Sequence, residues 1–591
     1  IDRHYEDICP FLFVFSRDIL ISFWKNILLG VLLTTTSCNS NFLDEQLYSN
    51  FSTEIENQES KLVGLYRLYG NFWGSGEGCT YLTAFQFGTD IGMRGYSGAQ
   101  GLSYYLYNQL NSNDKITSYI WTSMYQIISN ANRIISQEEK LGEENADKAV
   151  IAEAKFFRAY AYNMLVTLYG GVPLITSDEA PRTDYVREPV EKVDQLIDAD
   201  LTYCIANLPD LGKAKCEARA NKDFARQLAG EAYLRMGYKQ GKSEYYTKAV
   251  DALSDIISNP NYELVSARYG KYLSEGGDCF RDMFRQGNIR RSQGNSEAIW
   301  TFEVENPAEV NNGTFGTAPQ HRRFWIPMYR NVPGVVNCDS LGGRGNGIMY
   351  FTNHVKYGVY EKGDIRNSYY NMRRRLPINK PKFEATYGID KDGFRVAPDS
   401  PEAVRTVVLK TGDWVIPSRE DSLTNFYVYS TKWGEYNPKD DFGFAMIKDW
   451  PVMRLGETYL LRAEAYFRLN ELDKAASDIN VLRDRAFADY RIETGNPNAG
   501  KVSASDIDID FILDERIREL ITEEQRRITL VRTGTLADRI AKYSDSPKNG
   551  AKVTEDRLVQ GFDPKVHILL PIPLTEIQLN KDAKIEQNYG Y

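Results

Sequence analysis

Two stretches of this chain repeat one pattern, and that pattern restricts the fold more than any other feature. Gly230-Glu231-Ala232-Tyr233-Leu234-Arg235 and Ala463-Glu464-Ala465-Tyr466-Phe467-Arg468 each read as a helix followed by a polar turn and a second amphipathic helix. The second helices carry Ala249, Leu253, Ile256 and Ile257 in one copy and Leu472, Ala475, Ile479 and Leu482 in the other. Apolar residues at helical spacing put one stripe on each helix, and small residues at the crossing let two backbones approach. Pairs of this kind bury both faces only by stacking on neighbours, so they predict a helical array.

The packing implied is of the tetratricopeptide type, and the two copies are not contiguous. The array's expected members are 117–139, 147–168, 190–207, 221–258, 455–486 and 508–531. Phe157, Ala161, Leu165 and Leu168 keep a helical stripe until Gly170-Gly171-Val172-Pro173 stops it. A first helix is expected from a capping box at Thr53 and Glu56 to about Tyr69, followed by an irregular, Gly-rich and aromatic segment over 70–112. Between the two halves, residues 260–450 hold turn signals such as Gly342 to Gly347 and short β-prone runs, Ala298 to Val304 and Arg405 to Leu409. This insertion carries most of the eight tryptophans: Trp300, Trp325, Trp414, Trp433 and Trp450. The expected fold class is mostly α, a split tetratricopeptide-type helical scaffold over 51–258 and 451–591 with a large irregular, partly β insertion at about 260–450.

At 591 residues, 42% apolar and 26% charged, the chain can bury a large core, and no Pro-rich, Gly/Ser-rich or like-charge linker divides it. One elaborated domain is expected over 51–591. A net charge of −9 argues against a nucleic-acid partner. The run Arg373 to Arg375 reads as a solvated face, and the carboxylates and arginines of Asp514 to Arg527 as a salt-bridge-laced helix face. The 39 tyrosines suit a binding surface as well as a core.

Seven cysteines show no CxxC and no paired short spacing, so neither a zinc site nor a disulfide framework is indicated. Cys38 has a different context. Lys25-Asn26, the apolar stretch Ile27 to Leu33 and Thr34 to Ser37 precede it in the order of a bacterial lipoprotein signal, although Thr35 stands where an aliphatic residue is usual. That stretch is far shorter than the about 20 residues needed to span a bilayer. The expectation is a signal segment over 1–37, its first 24 residues lying upstream of the true start, an acylated Cys38, and a tether over 38–50.

Catalytic patterns are weak. The four histidines are scattered without HExxH, and no GxSxG elbow is present. Gly237 to Ser243 resembles a phosphate-binding loop but is one residue short and lies between two repeat helices. No metal, cofactor or catalytic residue is assigned. A glycosidase pair of carboxylates is identified only by its spatial separation.

Several blocks together carry a resemblance: Ser37-Cys38 followed by Phe42-Leu43-Asp44, then Trp121 to Arg133, Glu153 to Pro173, Pro451 to Ala465, Leu513 to Gly534 and His567 to Asn580. In this order they resemble the SusD/RagB family of Bacteroidetes. The resemblance implies an outer-membrane, surface-exposed lipoprotein that holds oligosaccharide, or in some members peptide, over a SusC-like TonB-dependent transporter and breaks no bond. It transfers no ligand residues, because the family's ligand loops vary. Candidates come from the irregular segments instead: Trp73, Asp90, Arg94, Tyr96, Trp325 and Tyr329. Trp121 and Trp450 read as core. A pure interaction scaffold is the alternative, in which the Trp73 and Trp325 segments would be buried or disordered and would line no open groove.

Overall fold

The computed structural model describes residues 58–74, 81–95, 101–304, 321–435, 446, 448–544 and 559–591. The signal segment, Cys38, the capping box at Thr53 and Tyr96 lie outside the described residues. The long helices are α1 (Gln58–Gly74), α2 (Lys115–Glu139), α3 (Lys148–Tyr169), α4 (Val190–Asn207), α5 (Lys222–Gln240) and α6 (Ser243–Ile257). After the insertion come α7 (Leu455–Arg468), α8 (Leu472–Ala486), α9 (Ile509–Leu520), α10 (Arg526–Thr533) and α11 (Leu536–Tyr543). Local chemistry sets their ends. Asp114, Asp147 and Asp508 cap α2, α3 and α9 by accepting first-turn backbone N–H groups. Gly241 and Gly534 end α5 and α10 in the left-handed region, so Gly237 to Ser243 is the inter-helix turn it was read as.

Each helix packs on the next: α2 on α3, α3 on α4, α4 on α5, and α5 on α6. The series continues from α6 to α7 and from α7 to α8 and α9, so the array is continuous in space although the insertion splits it in sequence. Gly230 shows what the crossing demands, because a Cβ there would lie 2.6 Å from the Leu253 side chain. In the second copy Ala463, Ala475 and Ile479 do the same work inside one apolar cluster. The predicted fold class, a mostly helical scaffold with an irregular, partly β insertion, is the observed one.

The insertion is closed at its neck by a β-ladder. Its outgoing strand β2 (Ala298–Phe302) pairs antiparallel with the returning strand β5 (Trp450–Arg454), Phe302 opposite Trp450 and Ala298 opposite Arg454. Elsewhere β1 (Gly92–Arg94) pairs with β3 (Met349–Phe351), and β4 (Arg405–Lys410) is the edge of a three-stranded sheet whose centre is Glu384–Ile389. Two expectations are corrected. Helix α1 runs past Tyr69 to Gly74, because Tyr69, Phe72 and Trp73 fall at i, i+3 and i+4 and are all buried; the glycines flanking them suggested a loop. The charges of Asp514 to Arg527 do pair, but inside the protein rather than on its surface: Glu515, Glu519 and Arg526 have no exposed surface.

Candidate functional site

Below the neck lies that buried ion-pair network, and it forms one wall of a cleft. Arg454, at the end of β5, reaches Glu519 at 2.6 Å and Glu523 at 2.7 Å. Gly456 permits this, since a Cβ there would stand 2.4 Å from the Arg454 guanidinium. Arg516 bonds Glu457 at 2.9 Å and also Glu524, which Arg526 holds at 2.9 Å. Buried charges are tolerated only when paired in this way. Burial by itself raises the Glu524 carboxyl, and the Arg516 and Arg526 guanidiniums more than reverse it, to about 2.

The opposite wall is aromatic. Trp73 comes from the last turn of α1, where its indole N–H donates to Tyr160 Oη at 2.9 Å. His321 and Trp325 come from a one-turn helix, His321–Trp325, and Trp433 and Trp450 from the returning limb of the insertion. His321 stacks on Trp433 with centroids 4.1 Å apart and planes 10° from parallel. Trp433 is oriented by its indole N–H, which donates to Thr522 O at 2.9 Å. Thr522 sits in the turn between α9 and α10 with φ +69°, a conformation that costs a β-branched residue about 1–3 kcal/mol.

These residues enclose a cleft of about 160 Å³. That is below the roughly 300–1,000 Å³ of a drug-sized ligand pocket, so it takes a single small unit rather than a chain of them. Its lining includes Trp325 Nε1, His321 Nδ1, Thr522 Oγ1 and Arg516 Nη1, buried atoms with no hydrogen-bond partner among the described residues. Each unmet donor or acceptor costs about 1–3 kcal/mol, which a hydroxyl-rich guest recovers. Burial pushes the His321 imidazole down to about 3, so it is neutral at physiological pH. Glu231, also on the cleft, has its carboxyl raised by burial, an effect that Arg532, Arg516 and Arg235 oppose. Among the described residues no cluster of His, Cys, Asp and Glu could hold a metal ion.

The residues chosen from the sequence separate into groups. Trp73 and Trp325, far apart in the chain, meet at this cleft, but both are core side chains, 6% and 2% exposed, as the scaffold alternative expects. Asp90 does not face a ligand: it is wholly buried and bonds Arg526 at 2.6 Å and Arg539 at 2.7 Å, pinning α10 and α11 to the segment before β1. Arg94 is nearly buried on β1, donating to Tyr105 Oη at 2.7 Å. Tyr329 is fully buried in a separate apolar cluster, where its hydroxyl donates to Gly343 O at 2.7 Å and fastens the Gly-rich turn. Trp121 is core, as expected, against Tyr125 and Tyr169. Trp450 is core too, as expected, buried and stacked on Phe302 at 4.4 Å, and one side of it also lines the cleft. Trp433, His321, Thr522 and Arg516 were not among the candidates; only Trp433 carried a signal, as one of the insertion's tryptophans.

Comparison with known proteins now decides the family. Residues 346–591 match the family model described as "SusD family", and residues 41–238 match one described as "Starch-binding associating with outer membrane". The chain is 34% identical over 496 residues to "Starch-binding protein SusD" of Bacteroides thetaiotaomicron, covering 80% of this chain and 78% of that protein. The chain belongs to the SusD family. Solved SusD-type structures superpose along nearly its whole length. A "Laminarin binding SusD-like protein" gives a TM-score of 0.60 at 20% identity, covering 90% of this chain and 99% of that one. "Surface glycan-binding protein A from Bacteroides thetaiotaomicron in complex with laminarihexaose" gives 0.62 at 17% identity, covering 90% and 98%. At these identities the likeness establishes the SusD fold.

Proposed function

We propose that this protein is a non-catalytic glycan receptor of the outer-membrane surface, anchored through acylated Cys38, that passes oligosaccharide to a SusC-like TonB-dependent transporter. One observation carries the binding reading: Trp73, Trp325, Trp433 and Trp450, from distant parts of the chain, converge on one cleft beside unpaired polar atoms. Sugar C–H faces pack on aromatic rings while hydroxyls take hydrogen bonds, so rings and unmet polar atoms together suit a carbohydrate. Relatives named for starch, laminarin and laminarihexaose support the same ligand class.

Most of the cleft's ionisable groups suit capture without cleavage, Glu231, whose carboxyl burial raises, being the exception. His321 carries no charge to exchange near neutral pH, and Glu523 and Glu524 are tied to Lys432, Arg454, Arg516 and Arg526. A general acid needs a proton available near the working pH.

The test is a binding screen of the protein from Asn39 onward against neutral plant and host glycans and peptides, read by tryptophan fluorescence and calorimetry. Saturable glycan binding without product, weakened in Trp325→Phe, is the expected result. That substitution removes the indole N–H while keeping most of the ring, since Trp→Ala in the core costs about 3–5 kcal/mol and confounds affinity with folding. Binding of peptides alone reassigns the cargo. Release of reducing sugar overturns the receptor reading, and affinity for the co-expressed transporter without any small ligand favours a scaffold.

A further inference from the structure

The run Arg373 to Arg375 is not one solvated face. Arg373 is buried and donates to Ser340 O at 2.7 Å and to Glu435 at 3.3 Å. Arg374 donates to Asn367 Oδ1 at 2.7 Å and to Lys356 O at 2.6 Å. Arg375 alone is exposed, and it has no carboxylate partner among the described residues.

Its position is fixed by backbone pairing. Val415 N donates to Leu376 O at 2.9 Å, Ile378 N to Asp413 O at 2.8 Å, and Gly412 N to Ile378 O at 2.8 Å, so residues 375–378 and 412–415 form a ladder. Pro377 stands opposite Trp414 in it. Side chains alternate along a strand: Leu376 and Ile378 are 0% and 1% exposed, which turns Arg375 and Pro377 outward. Trp414, 42% exposed, lies on that same outer face, diagonal to Arg375. The guanidinium carbon stands 4.4 Å from the Trp414 ring and 5.9 Å from the Tyr369 ring. Tyr369 meets Trp414 edge-on at 5.7 Å and 75°, and the Arg373 guanidinium backs it at 4.5 Å.

A guanidinium stacked on rings loses little further freedom on binding, and its in-plane N–H groups remain free at the edge. A planar carboxylate is the anion that matches such a fork with two parallel bonds. We propose that Arg375, Trp414 and Tyr369 form a second glycan subsite, apart from the aromatic cleft, that takes a carboxylated sugar residue. The carboxylate binds Arg375 while the sugar's apolar face packs on the part of Trp414 that the guanidinium leaves exposed, Tyr369 holding that ring edge-on. The subsite rests on the glycan-receptor reading and names one class of sugar for it. It also supplies contact area for an extended chain, which a cleft of about 160 Å³ does not.

The experiment uses two acidic probes, an oligogalacturonate and a sialylated oligosaccharide, each beside its carboxyl-reduced counterpart, on wild type, Arg375→Gln and Trp414→Ala. A charge-assisted pair at an exposed site gives a preference of up to about fivefold for the acidic form at low salt. We expect that preference for at least one probe, with the two probes separating an in-chain uronate from a terminal acid. It falls with added salt, disappears in Arg375→Gln, and Trp414→Ala weakens the acidic and reduced forms together. Both side chains are surface groups, so the variants fold. Equal affinity for the acidic and reduced forms, or a preference that survives Arg375→Gln, overturns the subsite. If neutral glycans bind and depend on Trp325 while no acid preference exists, the subsite fails and the receptor reading stands. If no acidic or neutral glycan binds, both fail.

Discussion

Replacing Asp90 by Asn separates a structural carboxylate from a ligand-binding one. Asp90 Oδ1 accepts from Arg526 Nε at 2.8 Å, and Oδ2 accepts from Arg526 Nη2 at 2.6 Å and Arg539 Nε at 2.7 Å. The residue has no exposed surface. Asn removes the charge and turns an NH2 donor toward guanidinium donors. Removing one partner of a buried ion pair costs about 3–5 kcal/mol, because the other charge stays behind. Both arginines keep other partners: Arg539 has Asp514 at 2.6 Å and Arg526 has Glu524 at 2.9 Å. The lower end, about 3 kcal/mol, is therefore expected. Guanidinium titration followed by circular dichroism should show a lower midpoint with unchanged slope, and the folded fraction should bind glycan with wild-type affinity. Stability within about 0.5 kcal/mol of wild type, or lost affinity at intact stability, refutes the reasoning.

Four further outcomes follow from the same network and cleft. In acid, Glu515 and Glu524 start from burial that raises them and are pulled down to about 2 by their arginines. Their folded values lie below the unfolded value near 4.3, so their stabilisation is present above about pH 4.5 and lost as pH falls toward 2; a flat acid limb in urea titrations contradicts this. In base the slope has the same sign, since burial lowers Lys448 to about 7 and Lys432 to about 8. The unfolded chain binds protons there that the folded chain refuses, so stability rises from pH 7 to 9.5 and Lys448→Met flattens the rise, read as denaturation midpoints. Thr522→Gly should raise stability by about 1 kcal/mol by relieving the positive φ and removing an unpaired hydroxyl. If that hydroxyl serves the ligand, the same variant weakens glycan binding in calorimetry while the melting temperature rises.

The helical scaffold was legible because its cause is local. Phe157, Ala161, Leu165 and Leu168 announce α3 without help from distant residues, and Gly230 and Ala463 mark the crossings that let neighbouring helices close. Strands β2 and β4 were legible as short β-prone runs, though nothing in either run names its partner. Trp73 was misplaced on a loop for a physical reason: Gly70 and Gly74 weaken helix propensity, but burying Tyr69, Phe72 and Trp73 on one face outweighs it.

By itself, then, the sequence determined which segments are helical, that the array is interrupted, and, by resemblance, the family. Only the tertiary structure decided which charges are buried and which aromatic residues share a surface. Asp90 and Arg526 are separated by most of the chain yet form one ion pair, and Arg373 and Arg375 are near neighbours in sequence yet one is buried and the other exposed. Periodicity is a property of neighbours along the chain, whereas burial and pairing depend on which elements fold back against one another. A single Trp or Arg carries the same letter in the core and on a binding face, and packing alone tells them apart.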